Sequence, residues 1–242
     1  MAFTPGSLLM DSFKTTMANL APFLIIAFIC KLPVMIWDYH FFFDIPPSPG
    51  SESGPANLFQ PESVFTKDFF IRFALDMFLN TLCQAAMVYG TVQFLSGRRV
   101  PMDECLSKGL SRLIPALGVA LACSFIIGCG TILFIIPGIV LTCILYLAIP
   151  VSVMENLGVA RSIHRSRDLT SGHRMILFLT IFSLFLLVFF AGMMIGVFFD
   201  VNTSLVGWLA QQSVVLFFAA MGSVVSAVAY MRLRERKDGV EV

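Results

Sequence analysis

The sequence predicts an all-α integral membrane protein with six transmembrane helices, and three observations predict it. Over 242 residues the chain is 57% hydrophobic and only 13% charged, with a mean hydropathy of +0.87. Ordinary soluble domains run about 45–50% apolar and about 25% charged. The apolar residues gather in runs that reach the roughly 20 residues a span needs. Lys and Arg, finally, occupy alternate connections between those runs and leave the others bare. This pattern excludes a soluble enzyme, a disordered chain and a disulfide-stapled secreted domain. With almost every residue spanning or connecting, residues 1–242 read as one polytopic domain without a separate soluble catalytic unit.

The spans follow in order. Residues 20–37 form the first, interrupted by Lys31 and Pro33, and residues 69–95 form the second, which carries several polar side chains. The run 113–154 contains no charge and is long enough for two crossings. Gly128, Gly130 and the Pro137-Gly138 pair near its middle predict a tight helical hairpin of spans 113–132 and 136–154. Residues 175–199 and 205–231 are the fifth and sixth spans. Backbone groups in lipid must be satisfied internally, so continuous apolar runs of this length mean helices and not barrel strands. The segment 1–20 lacks a basic stretch, apolar region and cleavage site in sequence, so no cleaved signal peptide is expected.

Arg98, Arg99, Lys108 and Arg112 lie between spans two and three; Arg161, Arg165, Arg167 and Arg174 lie between spans four and five. Arg232, Arg234, Arg236 and Lys237 follow span six, whereas residues 38–66, the Pro-Gly hairpin and residues 200–204 hold no Lys or Arg. The positive-inside rule therefore predicts that both termini are cytoplasmic. The 38–66 loop is rich in Pro, Gly and Ser, carries Asp38, Asp44, Glu52 and Glu62, and reads as a flexible acidic loop on the outer face. A net charge of +1 argues against nucleic acid as a partner. The six cysteines fall in apolar runs except Cys105, which lies in a basic connection; without a CxxC pair or Cys/His cluster they predict neither disulfide nor metal.

Segments 10–24 and 102–117 share a Met-Asp start before spans one and three, and Leu106-Ser107-Lys108-Gly109 is echoed by Leu169-Thr170-Ser171-Gly172 before span five. Each odd-numbered span is thus entered from a short cytoplasmic amphipathic segment, which predicts three repeated units of amphipathic helix plus hairpin.

The stretch 135–174 carries Pro137, Gly138, Pro150, Glu155, Arg165, Ser166, Leu169, Thr170 and Gly172. In spacing and order it resembles the membrane domain fused to some bacterial glycerophosphodiester phosphodiesterases, and the standalone six-helix inner-membrane proteins related to it. Those show a Pro-Gly turn, a helix ending in Pro and then Glu, and an Arg-Ser-x-x-Leu-Thr-x-Gly segment. The long acidic loop after span one, and Ser162 where a small apolar residue is usual, depart from that pattern. The resemblance implies the six-helix fold and a bacterial inner (cytoplasmic) membrane setting, not an activity. The phosphodiesterase chemistry of the fused relatives belongs to a separate soluble barrel.

Three groups of residues are candidates for function. In span two, Arg72, Asp76, Asn80 and Gln84 recur every four residues and make one polar stripe along a helix. Arg72 and Asp76 can neutralise each other at that spacing, and Lys31, Gln211 and Gln212 are candidate partners for the rest. Such a stripe is either a satisfied network that locks helix packing, with Arg72 and Lys31 reaching an interface, or a polar path. The second group is Glu155 with Arg161, Arg165, Arg167 and Arg174, beside which Leu157, Val159 and Ile163 can face the membrane. It reads as topology-setting charge or as a docking site for lipid headgroups, anionic ones included, or for a membrane partner. The third is the Gly192/Gly196 pair of span five, with Ala219 and Ser223 in span six, where close helix approach inside the bundle or in a homo-oligomer is expected.

Most of the 25 Phe residues, such as Phe41, Phe42 and Phe43, are expected at lipid or packing positions. No phosphate loop, HExxH or GxSxG motif occurs, and His40, His164 and His173 are scattered, so no catalysis, cofactor or metal is expected. The leading expectation is a non-catalytic, lipid-associated scaffold or accessory subunit of a membrane complex. The alternative is a small transporter or channel using the span-two stripe.

Overall fold

A computed structural model describes residues 4–39, 67–98, 100–199 and 204–239. The acidic loop beyond Tyr39, with His40, the Phe41–43 trio, Asp44, Glu52 and Glu62, lies outside the described residues, as does Arg99. Among the described residues every regular element is a helix. They are α1 (Pro5–Ala18), α2 (Leu20–Tyr39), α3 (Lys67–Leu95), α4 (Met102–Ser111), α5 (Leu113–Leu133), α6 (Ile135–Leu145), α7 (Ala148–Glu155), α8 (Val159–Thr170), α9 (Arg174–Phe198) and α10 (Leu205–Asp238). Six stretches are long and apolar enough to cross a membrane, α6 and α7 together making one of them. The short helices α1, α4 and α8 precede the first, third and fifth.

Local chemistry explains the boundaries. Thr4 caps α1 in a reciprocal pair with Ser7, satisfying donors that a helix start leaves orphaned. The hairpin turns at Phe134 alone, in extended conformation between α5 and α6. Its arms meet so closely that a Cβ on Gly138 would lie 2.2 Å from Thr131 Oγ1, and one on Gly130 would lie 2.5 Å from Leu141 Cδ1. The fourth span breaks at Tyr146-Leu147, four residues before Pro150. Proline lacks the amide proton and its ring clashes with the carbonyl four residues earlier. Asn156, in left-handed conformation at φ 52°, ends α7, a role Asn tolerates well.

Helix α10 is the axis of the bundle. Of its apolar window 61% is buried inside the protein, against 17% for α9. At 34 residues it is about 51 Å long, so it continues well past residue 231. The basic run 232–237, expected to trail the last span, is thus helical and packs back onto α1 and α8.

The core is polarised along the bundle. In the spanning helices the side chains without exposed surface, such as Ala27, Met87, Val88, Val119, Val151, Leu177, Val224 and Tyr230, lie from mid-helix to the end near the termini. Toward the other end the helices present large apolar side chains outward, among them Phe73, Phe125, Phe189 and Val197. We call these ends the terminal and the distal half.

Cys105 is buried on the inner face of α4, where Gly109 lets the helix approach Ala86, its would-be Cβ lying 3.0 Å from the Ala86 nitrogen. Burial pushes the Cys105 thiol above its ordinary value, with Glu104 and Asp103 adding to the shift. The echoed glycines also play different parts. Gly109 is helical and packed, whereas Gly172 has φ 85° in the turn after α8.

Candidate functional site

Helices α2 and α3 pack side by side. Lys31 and Asp38 lie seven residues apart on α2, and Arg72 and Asp76 four apart on α3, so antiparallel packing matches them crosswise. Lys31 Nζ lies 2.7 Å from Asp76 Oδ1, and Arg72 Nε lies 2.6 Å from Asp38 Oδ1. The neutralisation expected inside span two between Arg72 and Asp76 is replaced by these two interhelical pairs. The reason is geometric: both acids find a cation across the helix interface that the one-helix pattern does not display. The Lys31 side chain is only 15% exposed, and a paired charge at that depth costs far less than a lone one.

The next two stripe residues behave differently. Asn80 and Gln84 line a cavity of about 260 Å³ between α3, α5 and α6, together with Thr81, Ser124, Thr142 and Tyr146. Thr81 Oγ1 donates to the Met77 carbonyl (2.7 Å), Thr142 Oγ1 to the Gly138 carbonyl (2.9 Å), and Tyr146 Oη to the Gly222 carbonyl (3.4 Å). Among the described residues, neither the Asn80 nor the Gln84 amide has a protein hydrogen-bond partner, and Ser124 Oγ has none either. Gln211, a candidate partner, instead lies beside Gly192.

At the terminal face a second polar cluster forms around Glu155, the last residue of α7. Its Oε1 accepts a hydrogen bond from Tyr230 Oη at 3.0 Å, and Arg165 Nε approaches its carboxylate at 3.3 Å. The Arg165 guanidinium also pairs with Asp238 at the end of α10. Burial works against the charge of Arg165, but the hydrogen bond to Asp238 and the field of Glu155 outweigh it and hold the group above its ordinary pKa. Arg234 stands over the Tyr230 ring, 5.9 Å from its centroid. Arg232 pairs with Asp11 of α1, and Lys237 donates to the Asp168 carbonyl. Ser166 Oγ of α8 donates to the Ile144 carbonyl at 2.7 Å, satisfying an acceptor freed by the break before α7.

Helix α8 therefore docks through Ser162, Ser166, Leu169 and Thr170, all buried. Leu157, Val159 and Ile163, expected to face the membrane, pack against the protein core instead. The predicted arginine group is split. Arg165 is consumed internally, while Arg161, Arg167 and Arg174 are exposed and lack an ion-pair partner among the described residues.

The Gly192/Gly196 pair does not provide the close internal approach expected of it. Among the described residues a Cβ on Gly196 would meet nothing within 4 Å, and one on Gly192 would make only ordinary contact with Gln211 at 3.6 Å. Among the described residues the glycines that do allow close approach include Gly90, Gly109, Gly118, Gly130 and Gly138. Sequence reasoning missed Tyr230, Asp238 and Asp11 as partners. Tyr230 and Asp238 each lie four residues from Arg234, their partner in local register, and that spacing does not display the cross-helix contacts to Glu155 and Arg165. Among the described residues no group of three or more His, Cys, Asp or Glu could hold a metal ion.

Comparison of the chain with family models, with curated proteins and with solved structures returns no match.

Proposed function

We propose that this chain is a non-catalytic multi-pass protein of the bacterial inner membrane that engages anionic lipid at its terminal face, as a lipid-associated scaffold or accessory subunit of a membrane complex. The observation that carries the reading is the division of labour among the arginines of 161–174. Arg165 is tied to Glu155 and Asp238, while Arg161 and Arg167 stay exposed on α8, which Ser166 anchors, and Arg174 stays exposed at the start of α9. A fixed helix holding free guanidinium groups beside the spans is suited to phosphate-bearing headgroups, each Arg near an anionic leaflet contributing about 1 kcal/mol. The charge asymmetry of the connections supports a cytoplasmic position for this face and both termini. The motif resemblance supports the bacterial setting, and the short helices before each odd span support three units of interfacial helix plus hairpin.

The test is purification from native membranes in a mild extractant, with mass spectrometry of everything retained. The reading expects anionic phospholipid enriched over bulk membrane, and the enrichment lost in an Arg161→Ala/Arg167→Ala/Arg174→Ala variant. A stoichiometric protein partner would add the accessory role. Retained lipid that matches the bulk composition in both proteins would overturn the lipid reading. A transport role for the span-two stripe draws on the cavity beside Asn80. Solute or proton flux into proteoliposomes that Asp76→Asn abolishes would favour that second reading, and flux equal to that of empty vesicles would remove it.

A further inference from the structure

The cavity between α3, α5 and α6 lies deep in the membrane-spanning region. Asn80 is ten residues, about 15 Å, along the helix from Phe70, where the apolar part of the second span begins. At that depth hydrocarbon offers no hydrogen bonds, and each unsatisfied polar group costs several kcal/mol. The two threonines of the lining avoid the cost by bonding their own helix backbone. Asn80, Gln84 and Ser124 do not, although they come from two helices and converge on one space. Together they supply amide donors, amide acceptors and a hydroxyl.

The chemistry of the occupant follows from what the lining lacks. Among the described residues it contains no Asp, Glu, Lys, Arg or His, and the charges one turn away, Lys31 and Asp76, already neutralise each other. A charged headgroup brought here would lose its hydration without gaining a counter-ion. Asn80 and Ser124 are exposed on the outer surface of their helices, so the cavity opens sideways toward the bilayer. At about 260 Å³ it falls below the roughly 300–1,000 Å³ of pockets that enclose a drug-sized molecule. It therefore suits the polar end of a larger amphiphile whose apolar body stays in lipid.

We infer that this cavity is a laterally open binding site for a neutral glyceride-type lipid, whose hydroxyl and ester carbonyl groups hydrogen-bond Asn80, Gln84 and Ser124. The inference is independent of the arginine face, which faces a different ligand chemistry at the terminal end of the molecule.

The test uses the full chain in proteoliposomes with a photoactivatable diacylglycerol, and in parallel a phosphatidylglycerol carrying the same photoactivatable acyl chain. The expected result is diacylglycerol adducts concentrated on peptides containing residues 77–84 and 120–127. Excess unlabelled diacylglycerol should protect those peptides, a readout that requires no variant. Labelling should fall at least fivefold in an Asn80→Leu/Gln84→Leu variant, which removes the amides without deleting side-chain volume. Adducts spread evenly over all six spans, or equal labelling of these peptides by phosphatidylglycerol, would overturn the inference. So would full labelling in the double variant.

Discussion

The terminal and distal halves of this bundle solve the same problem in different ways. In the terminal half the helices interlock around α10, with Met87, Val88, Val224 and Tyr230 sealed from any exposure. In the distal half the helices present Phe73, Phe125 and Phe189 outward, and cross-helix contacts include two ion pairs, Lys31–Asp76 and Arg72–Asp38. Burying an apolar side chain in protein gains little over leaving it in lipid, so membrane helices depend on tight packing and on polar contacts. The terminal half combines close packing with the polar cluster around Glu155, Arg165 and Asp238, whereas the distal half packs less closely and is held across α2 and α3 by its two ion pairs. The difference teaches where substitutions should hurt.

Removing a sealed side chain from the terminal half should have the largest effect. Tyr230→Ala empties a site with no exposure and deprives Glu155 of a hydrogen bond; unfolding in a denaturing-detergent titration should show a loss of about 3–4 kcal/mol. A loss below about 1 kcal/mol would mean that the terminal half is not close-packed. Next comes the distal half. Asp76→Ala leaves Lys31, with its 15% exposure, without its counter-charge, and should cost about 2 kcal/mol in the same titration. The Lys31→Leu/Asp76→Leu double variant should recover most of that loss, because removing both charges leaves none unpaired. Failure of the double variant to recover would show that the pair does more than hold α2 to α3.

Smaller effects sharpen the contrast. Glu155→Gln keeps the size and a hydrogen-bond acceptor for Tyr230 but removes the charge facing Arg165, which retains Asp238. A loss of about 1 kcal/mol is expected by thermal denaturation. Smallest of all should be Phe125→Ala, at a residue that is 74% exposed. Stability should change by no more than about 0.5 kcal/mol, and a larger loss would place a packing partner on that face.

Much of the fold was legible in the sequence because lipid imposes long, continuous apolar runs, and the charge-free stretch 113–154 with its Pro137-Gly138 pair could hardly fold otherwise. What stayed hidden was cross-helix register. The spacing of Arg72 and Asp76 suits a pair within one helix, and only the placement of Asp38 and Lys31 opposite them shows another arrangement. At Gly192 and Gly196 the small-residue spacing permits close approach, which no described residue of the same chain takes up. On α8 the apolar Val159 and Ile163 suggested a membrane face, yet the freed Ile144 carbonyl draws Ser166 inward and turns that side of the helix to the protein. Of the candidate sites, the stripe and the arginine cluster were visible as compositions. Which members are consumed by Asp38, Glu155 and Asp238, and which stay free, depends on tertiary contacts.

The most direct test of the central claim, that the exposed arginines of 161–174 engage anionic lipid, is a lipid titration by native mass spectrometry with phosphatidylglycerol and phosphatidylcholine. The wild-type protein should prefer phosphatidylglycerol, and the Arg161→Ala/Arg167→Ala/Arg174→Ala variant should lose that preference by roughly tenfold to a hundredfold with an unchanged melting temperature. An unaltered preference in a folded triple variant would contradict the account.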